Sequence, residues 1–398
     1  MDRIDPPRFG VFAVLGILAA ATLLGPSSKI TRVAVRIDCT NAAACALAES
    51  LAEDVWSEDR GADLPLDVVI ASDKLDQLDQ FGNYQILVPD IDAVAQAEHD
   101  RLALGIQSAD WFAEYHDYNG ITQHIQQLAE IAPDRATMHG IGSSIDGRTI
   151  WALRIGHGPT KMLVNGTQHA REWIAAMTTT CVADRLVREY DTDPAIKKFV
   201  DSTDLWVVPV VNPDGYQYSW STSRYWRKNR REKHGVDLNR NWSVAWGGSG
   251  SSGSKGSDIY RGAYAFSEPE TAAMRDLSKR EGFALAVDFH TYGQLVLYPW
   301  NYTAAPSKDR DRFAGVGDRL ASAIFSQHKK QYRLMSGVEL YPSAGTASDW
   351  YYGELGALAY TIELRPKGGS GFVLPPEEIK PTCDEGLAAV LALRSSRE

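Results

Sequence analysis

Cysteine is scarce in this chain, four in 398 residues, which is too few for a fold stapled throughout by disulfides. Basic excess is lacking too: 41 Lys and Arg face 51 Asp and Glu, a formal charge of -10. Nucleic-acid binding needs a cationic surface, so the charge balance excludes that partner class as an expectation. Long apolar runs are confined to residues 9–24, and no later segment reaches the roughly 20 apolar residues that a membrane span needs. No internal repeat is visible. The four cysteines allow three pairings. Joining Cys39 to Cys45 and Cys181 to Cys383 would keep each bridge within one module, and buried free thiols are the other reading of the second pair.

What is present is an ordinary globular composition, 44% hydrophobic and 23% charged, in a chain longer than one average domain. A large domain with a smaller companion is the expectation. Arg3 and Arg8, the apolar run and the Gly25-Pro26-Ser27-Ser28 stop read as a secretory signal over residues 1–28. Asp2 and Asp5 dilute its basic start, so an uncleaved signal anchor is the alternative. Secretion is the expected route, with vacuolar or lysosomal delivery as its variant.

Residues 29–105 read as a small α/β module and connector. Strand-like alternation occupies residues 31–38, 66–71 and 84–89, and helical spacing residues 42–56, 73–80 and 90–104. Beyond residue 106 the chain turns rich in Trp, Tyr, Gly and His. Strand-like runs at 149–155, 162–165, 205–211, 283–290 and 358–364 alternate with helical ones, which predicts an α/β sheet covered on both faces. Sites in such sheets form beyond the carboxyl ends of strands. Residues 247–256, nearly all Gly and Ser, predict a flexible loop.

His169 and Glu172 are three apart and would meet on one side of a helical turn. His290 ends the apolar run Ala284-Leu-Ala-Val-Asp-Phe-His290 and supplies a third ligand. A His/Glu/His set with one open position is a catalytic zinc arrangement. Asn212-Pro-Asp-Gly215 follows another strand, so three chemical elements converge on one edge.

Across residues 108–398 the chain resembles the zinc metallocarboxypeptidases of the pancreatic carboxypeptidase A and B type, with residues 31–104 like the family's inhibitory pro-segment. The likeness rests on Gly166-Thr-Gln-His-Ala-Arg-Glu-Trp173, Val211-Asn-Pro-Asp-Gly215, Tyr225-Trp-Arg-Lys228, Val236-Asp-Leu-Asn-Arg-Asn-Trp242, Phe289-His-Thr-Tyr292, Tyr341 with Ser348-Asp-Trp350, and Thr361-Ile-Glu-Leu-Arg365. It implies a large mixed sheet flanked by helices, preceded by a small open-sandwich pro-domain. It also implies one zinc ion on His169, Glu172 and His290, with Glu363 as the general base toward a zinc-bound water and Arg227 stabilising the oxyanion. Asn239, Arg240 and Tyr341 would hold the substrate's C-terminal carboxylate. Asp237 would orient a histidine ligand, and Arg171, Tyr292 and Phe372 would line outer subsites. Lys228, Arg230 and Arg231 read as solvated charges.

Two departures matter. Ser348 stands where the family's selectivity residue is aliphatic or acidic, and Ser336, Asn301, Ser343 and Thr361 near it are small or polar. A broad preference for C-terminal residues follows; Asp288 either attracts a basic side chain or is tied up by hydrogen bonds. No cysteine lies beside the Gly/Ser loop, which is therefore predicted to be mobile. Three sequons, at Asn165, Asn241 and Asn301, lie close to the inferred site, where glycans would crowd it, so little occupancy is expected.

The implied protein is a secreted monomeric zymogen acting on peptide or protein C-termini. An activating endoprotease would cut within residues 101–108, with Arg101 as a trypsin-like site. The alternative is a catalytically silent relative that binds peptide termini or partners.

Overall fold

The alternation in the first module sorts its strands onto two faces. In the computed structural model, which describes residues 30–57, 65–79, 84–104 and 110–397, strand β1 (Arg32–Ile37) sends Val33, Val35 and Ile37 to one side and Ala34 and Arg36 to the other. Antiparallel β3 (Leu66–Ala71) matches it with Leu66, Val68 and Ile70 against Asp67 and Val69. With β2 (Asp54–Val55) and β4 (Tyr84–Val88) they form a sheet in the order β2-β3-β1-β4. Helices α1 (Ala42–Leu51) and α2 (Asp76–Asp79) cover the first face. The second face packs with α3 (Ile91–Ala103), Tyr225 and Phe372. Asn41 and Asp90 cap α1 and α3 by accepting backbone amides, as short polar side chains at such positions do.

From Thr31 onward the chain forms one unit. Its second sheet has eight strands in the order β11-β10-β12-β9-β7-β8-β6-β5. These are β5 (Ala136–Ser143), β6 (Thr149–Ile155), β7 (Thr160–Gly166), β8 (Thr203–Val208), β9 (Leu285–Thr291), β10 (Leu295–Tyr298), β11 (Arg333–Ser336) and β12 (Leu358–Leu364). The central four, β12, β9, β7 and β8, run parallel, and β6, β5 and β10 join antiparallel. Buried on both faces, the central strands read as near-continuous apolar runs. One face packs against α4 (Tyr118–Ile131), α5 (Trp173–Arg188), α6 (Pro194–Ser202), α7 (Pro213–Ser221), α9 (Arg310–His328) and α12 (Ile379–Ser395). The other packs against α8 (Pro269–Glu281) and α11 (Ala347–Leu355), with Trp242, Met274 and Trp350 among the buried side chains. A single turn, α10 (Gly337–Leu340), follows β11.

The cysteines pair Cys39–Cys45 and Cys181–Cys383, the second bridge joining α5 to α12. Among the described residues no helix is long and apolar enough to cross a membrane. The signal-peptide reading of residues 1–28, and residues 105–108 of the expected cleavage stretch, lie outside the described residues.

Local readings needed correction. Helical spacing over residues 42–56 ends at Leu51, because Asp54 and Val55 pair with Val69 and Val68 instead. The helix expected over 73–80 is a 3-10 turn followed by four α-helical residues. Strands β5, β10 and β11 are additions to the expected set; β10 and β11 have only four residues each, too few for alternation to register.

Candidate active site

The zinc-motif turn is delivered by β7. Val211 N–H donates to Gly166 O and Asn212 N–H to Thr167 O, so the segment after β8 continues the pairing past the strand end. Thr167, buried, sits at φ 62, a left-handed conformation that turns the chain sharply toward His169. Residues 169–172 form a turn just before α5 rather than a helical turn, closed by Glu172 N–H to His169 O. Glu172 occupies the N-cap of α5 yet makes no side-chain cap bond, because its carboxylate faces the two histidines.

His169, Glu172 and His290 each offer one ligand atom, all within 4.8 Å of one another, and all three are buried. His169 Nδ1 lies 2.8 Å from Glu172 Oε1 and 3.1 Å from His290 Nδ1. His290 Nδ1 is 3.1 Å from Glu172 Oε2. Each histidine's other nitrogen is held by a buried aspartate: His169 Nε2 by Asp237 at 3.0 Å and His290 Nε2 by Asp288 at 2.9 Å. A carboxylate behind Nε2 assigns the proton there and leaves the Nδ1 lone pair facing inward. Two inward lone pairs and a carboxylate around one point fit a divalent cation, and nitrogen–oxygen donors suit zinc. Burial disfavours ionisation of Glu172, but the histidines outweigh it and push the carboxyl down to about 2. For His290, burial is outweighed by Asp288 and Glu172, which raise it well above the usual imidazole value, so a metal would gain the Nδ1 lone pair by displacing a proton.

Strand register places the rest. Parallel pairing sets Glu363 beside His290 and Thr361 beside Asp288, so Glu363 arrives, buried, next to the ligand cluster. Asp237 uses one oxygen for His169 and the other for Arg227, at 3.0 Å from Nη2. It is held well below the usual carboxylate range, against its burial, by Arg227 first and then His169 and Arg240. Asn239 Oδ1 accepts Ala347 N–H, and Arg240 Nη2 donates to the Tyr341 hydroxyl at 2.8 Å. Arg240 Nε is fixed by Gly250 O. Two of the three groups expected at one carboxylate, Arg240 and Tyr341, therefore touch.

Ser348 Oγ accepts from the Asn301 amide and from Thr361 Oγ1 at 3.1 and 3.2 Å. Asp288 is tied up: besides His290 it accepts from Asn165 and Gln168. Its part in orienting His290 was missed at the sequence level, although its place two residues earlier on the same strand face was the signal. The sequon residues Asn165, Asn241 and Asn301 are all buried and hydrogen-bonded through Nδ2, which closes them to glycan transfer as folded.

Other expectations fail. The Gly/Ser loop is anchored, with Ser249 O accepting Ala344 N–H, Gly250 O accepting Arg240 and Ser252 bridging to Tyr260. Hydrogen bonds take the place of a crosslink there. Lys228 is buried and donates to Ser257 O, Arg231 pairs with Glu268, and Arg230 lies over the Tyr218 ring. Proximity to buried acids and aromatics, invisible in a charge run, decides their setting.

Arg171, Tyr292 and Phe372 form an outer ledge, with the Arg171 guanidinium 4.0 Å over the Phe372 ring and Tyr292 edge-on to it. The first module sits on this ledge. Asp54 accepts Arg171 Nη1 at 2.7 Å, and Asp67, bound bidentately by Arg36, accepts the Tyr292 hydroxyl at 2.9 Å. Trp56 stacks on Tyr225 at 5.3 Å and meets Phe372 edge-on at 5.6 Å. Arg36, Trp56, Asp67, Tyr292 and Glu363 border one cavity of about 360 Å³ beneath the module.

Comparison with known proteins shows the family. Residues 121–389 match the zinc carboxypeptidase model. Mouse carboxypeptidase A4 is 32% identical over 351 residues, 83% of this chain and 84% of that protein. A protein of Talaromyces marneffei named inactive metallocarboxypeptidase ecm14 is 34% identical over 73% of this chain and 56% of its own length. The crystal structure of thrombin activatable fibrinolysis inhibitor aligns with a TM-score of 0.84 at 28% identity, covering 92% of this chain and 98% of that one. The chain belongs to the zinc carboxypeptidase family, and as a protein class it is a metallocarboxypeptidase, a peptide hydrolase.

Proposed function

We propose that this chain is a secreted carboxypeptidase made as a zymogen, which removes C-terminal residues from peptides through one zinc ion held by His169, Glu172 and His290. The observation that carries the reading is the three-ligand cluster with a buried aspartate behind each histidine and Glu363 in register beside it. Bound zinc supplies a Lewis acid that acidifies a water and polarises a carbonyl. Glu363 takes the proton from the attacking water and passes it to the departing amine. Arg227, aimed by Asp237, faces the negative charge that develops on the carbonyl oxygen. Asn239, Arg240 and Tyr341 bind the free carboxylate, for which a planar guanidinium fork is suited.

Residues 29–105 act as the inhibitory pro-domain and residues 106–398 as the catalytic domain. Asp54, Trp56 and Asp67 satisfy the ledge groups that a longer peptide would otherwise meet. Activation requires a cut near the end of α3, within residues 101–108. Arg101 lies in the last turn of that helix, paired with Glu114, so the turn must open for cleavage there.

The test is hydrolysis of a blocked dipeptide by proteolytically activated protein, with and without chelator. Activity that chelator abolishes and zinc restores, and that falls about a thousandfold in Glu363→Gln with zinc content unchanged, is expected. Chelator-resistant turnover, or turnover surviving that substitution, contradicts the mechanism. An inactive parent that still binds peptide C-termini would instead establish the silent binding protein.

A further inference from the structure

Asn212-Pro-Asp-Gly215 has no task in the proposed chemistry, yet it holds the backbone beside His169 and beside Arg227. The Asn212 side chain is fully buried. Its Nδ2 donates to Gln168 O at 3.0 Å and to Lys228 O at 3.1 Å, while its Oδ1 accepts Gly215 N–H at 3.0 Å and so caps α7. Gln168 is the residue before His169, and Lys228 the residue after Arg227. One amide thus bridges the backbone of the ligand turn to that of the arginine segment. A second link runs beside it, Ala170 N–H to Arg227 O at 2.8 Å.

Two carbonyl oxygens pointed at one place repel unless a donor with two hydrogens stands between them. A neutral, planar NH2 at that side-chain length belongs to asparagine alone; Asp would add a third acceptor, and Leu would leave both oxygens unsatisfied. The motif's other residues hold this amide in place. Asp214, buried, accepts Arg148 Nη1 and Asp146 N–H, fixing the start of α7. Gly215 allows the close approach: a Cβ there would lie 2.5 Å from Asn212 Nδ2 and 2.5 Å from Lys228 O.

We infer that Asn212 is a positioning residue for the hydrolytic reaction, setting the separation between Arg227 and the His169–Glu172 turn. Its effect is assigned to Arg227, whose neighbour Lys228 it holds by the carbonyl; Asp237 supports His169 and Arg227 alike, and Thr291 supports Glu172. The inference rests on the proposed function, and it predicts a transition-state defect rather than a binding or metal defect.

The experiment is a double-mutant cycle of Asn212→Leu with Arg227→Ala in the activated enzyme, recording kcat, KM, zinc content and thermal midpoint. Asn212→Leu alone should lower kcat about ten- to a hundredfold, as an ångström of misplacement does, with KM within about threefold and bound zinc per chain unchanged. On the Arg227→Ala background it should cost less than about twofold. Gly215→Ala crowds the same amide without deleting it, so it should give the same signature at smaller size, and it serves should Asn212→Leu not fold. Losses that multiply independently in the double variant overturn the inference, as do a rise in KM at unchanged kcat and loss of zinc. If the parent shows no chelator-sensitive hydrolysis, or Arg227→Ala alone costs nothing, it is the proposed function that fails.

Discussion

The inner and outer parts of the cleft are held by different means. In the inner part the orienting partners named among the described residues lie beyond the first module: Asp237 and Asp288 behind the histidines, Asn165 and Gln168 behind Asp288, Asn212 between the two backbone segments. In the outer part, Arg171 and Tyr292 take their acidic partners from the first module, at Asp54 and Asp67, and Trp56 fills the space between Tyr225 and Phe372. The inner centre is therefore complete without the module, whereas the outer ledge is completed by it. On the zymogen reading proposed above, removing the module would uncover the ledge and leave the partners of the inner centre in place.

The largest expected effect that sharpens this comparison lies behind the histidines. Asp237→Asn and Asp288→Asn should each weaken zinc binding about 10- to 100-fold, measured by competition with a chelator. Unchanged affinity in both would break the claim that the inner centre is self-supported. Next, Trp56→Ala should loosen the module by about 2 kcal/mol or more, seen as faster limited proteolysis and higher activity of the uncut chain. An unaltered proteolysis rate would mean the ledge contacts do not hold the module.

Specificity gives a smaller contrast. With Asp288 occupied by three donors and Ser348 neutral, matched peptides ending in Phe, Leu, Lys and Glu should turn over within about tenfold of one another. A large preference for Lys would show that a negative charge reaches the pocket after all.

The smallest effect concerns pH. Burial pushes Glu270 up to about 7, with Glu268 adding to it against hydrogen bonds from Ile145 and Asn229. The fold keeps this proton while the unfolded chain releases it near the ordinary value of 4.5, so stability falls as pH rises from about 4.5 to 7 and then levels. In Glu270→Gln this fall should be shallower by on the order of 1 kcal/mol, read from denaturant midpoints at pH 5 and 8. Equal slopes would remove Glu270 as its source.

Much of the inner centre was legible in the sequence. His169 and Glu172 are neighbours along the chain, and His290 and Glu363 end apolar runs whose alternation fixes the face each side chain takes. Asp288 carried a signal in its place two residues before His290, whereas its bonds to Asn165 and Gln168, and the whole task of Asn212, depend on which segments meet in the fold. The ledge was less legible still. Asp54 and Trp56 fell in a stretch with helical spacing, and only pairing with β3 pulls them into the extended form that aims them at Arg171 and Tyr225. The Gly/Ser loop differs from expectation for a related reason: composition predicts freedom, while the hydrogen bonds that anchor it come from Arg240 and Tyr260 on either side and from the distant Ala344.

The division between inner centre and covered ledge is tested most directly with two substrates. Hydrolysis of a blocked dipeptide and of a blocked pentapeptide sharing the same C-terminal residue would be compared before and after the first module is removed, at matched zinc content. Removal should raise pentapeptide turnover at least about tenfold more than dipeptide turnover, because on the proposed reading the longer chain alone would use Arg171, Tyr292 and Phe372. An equal rise for both substrates, or none for either, would contradict it.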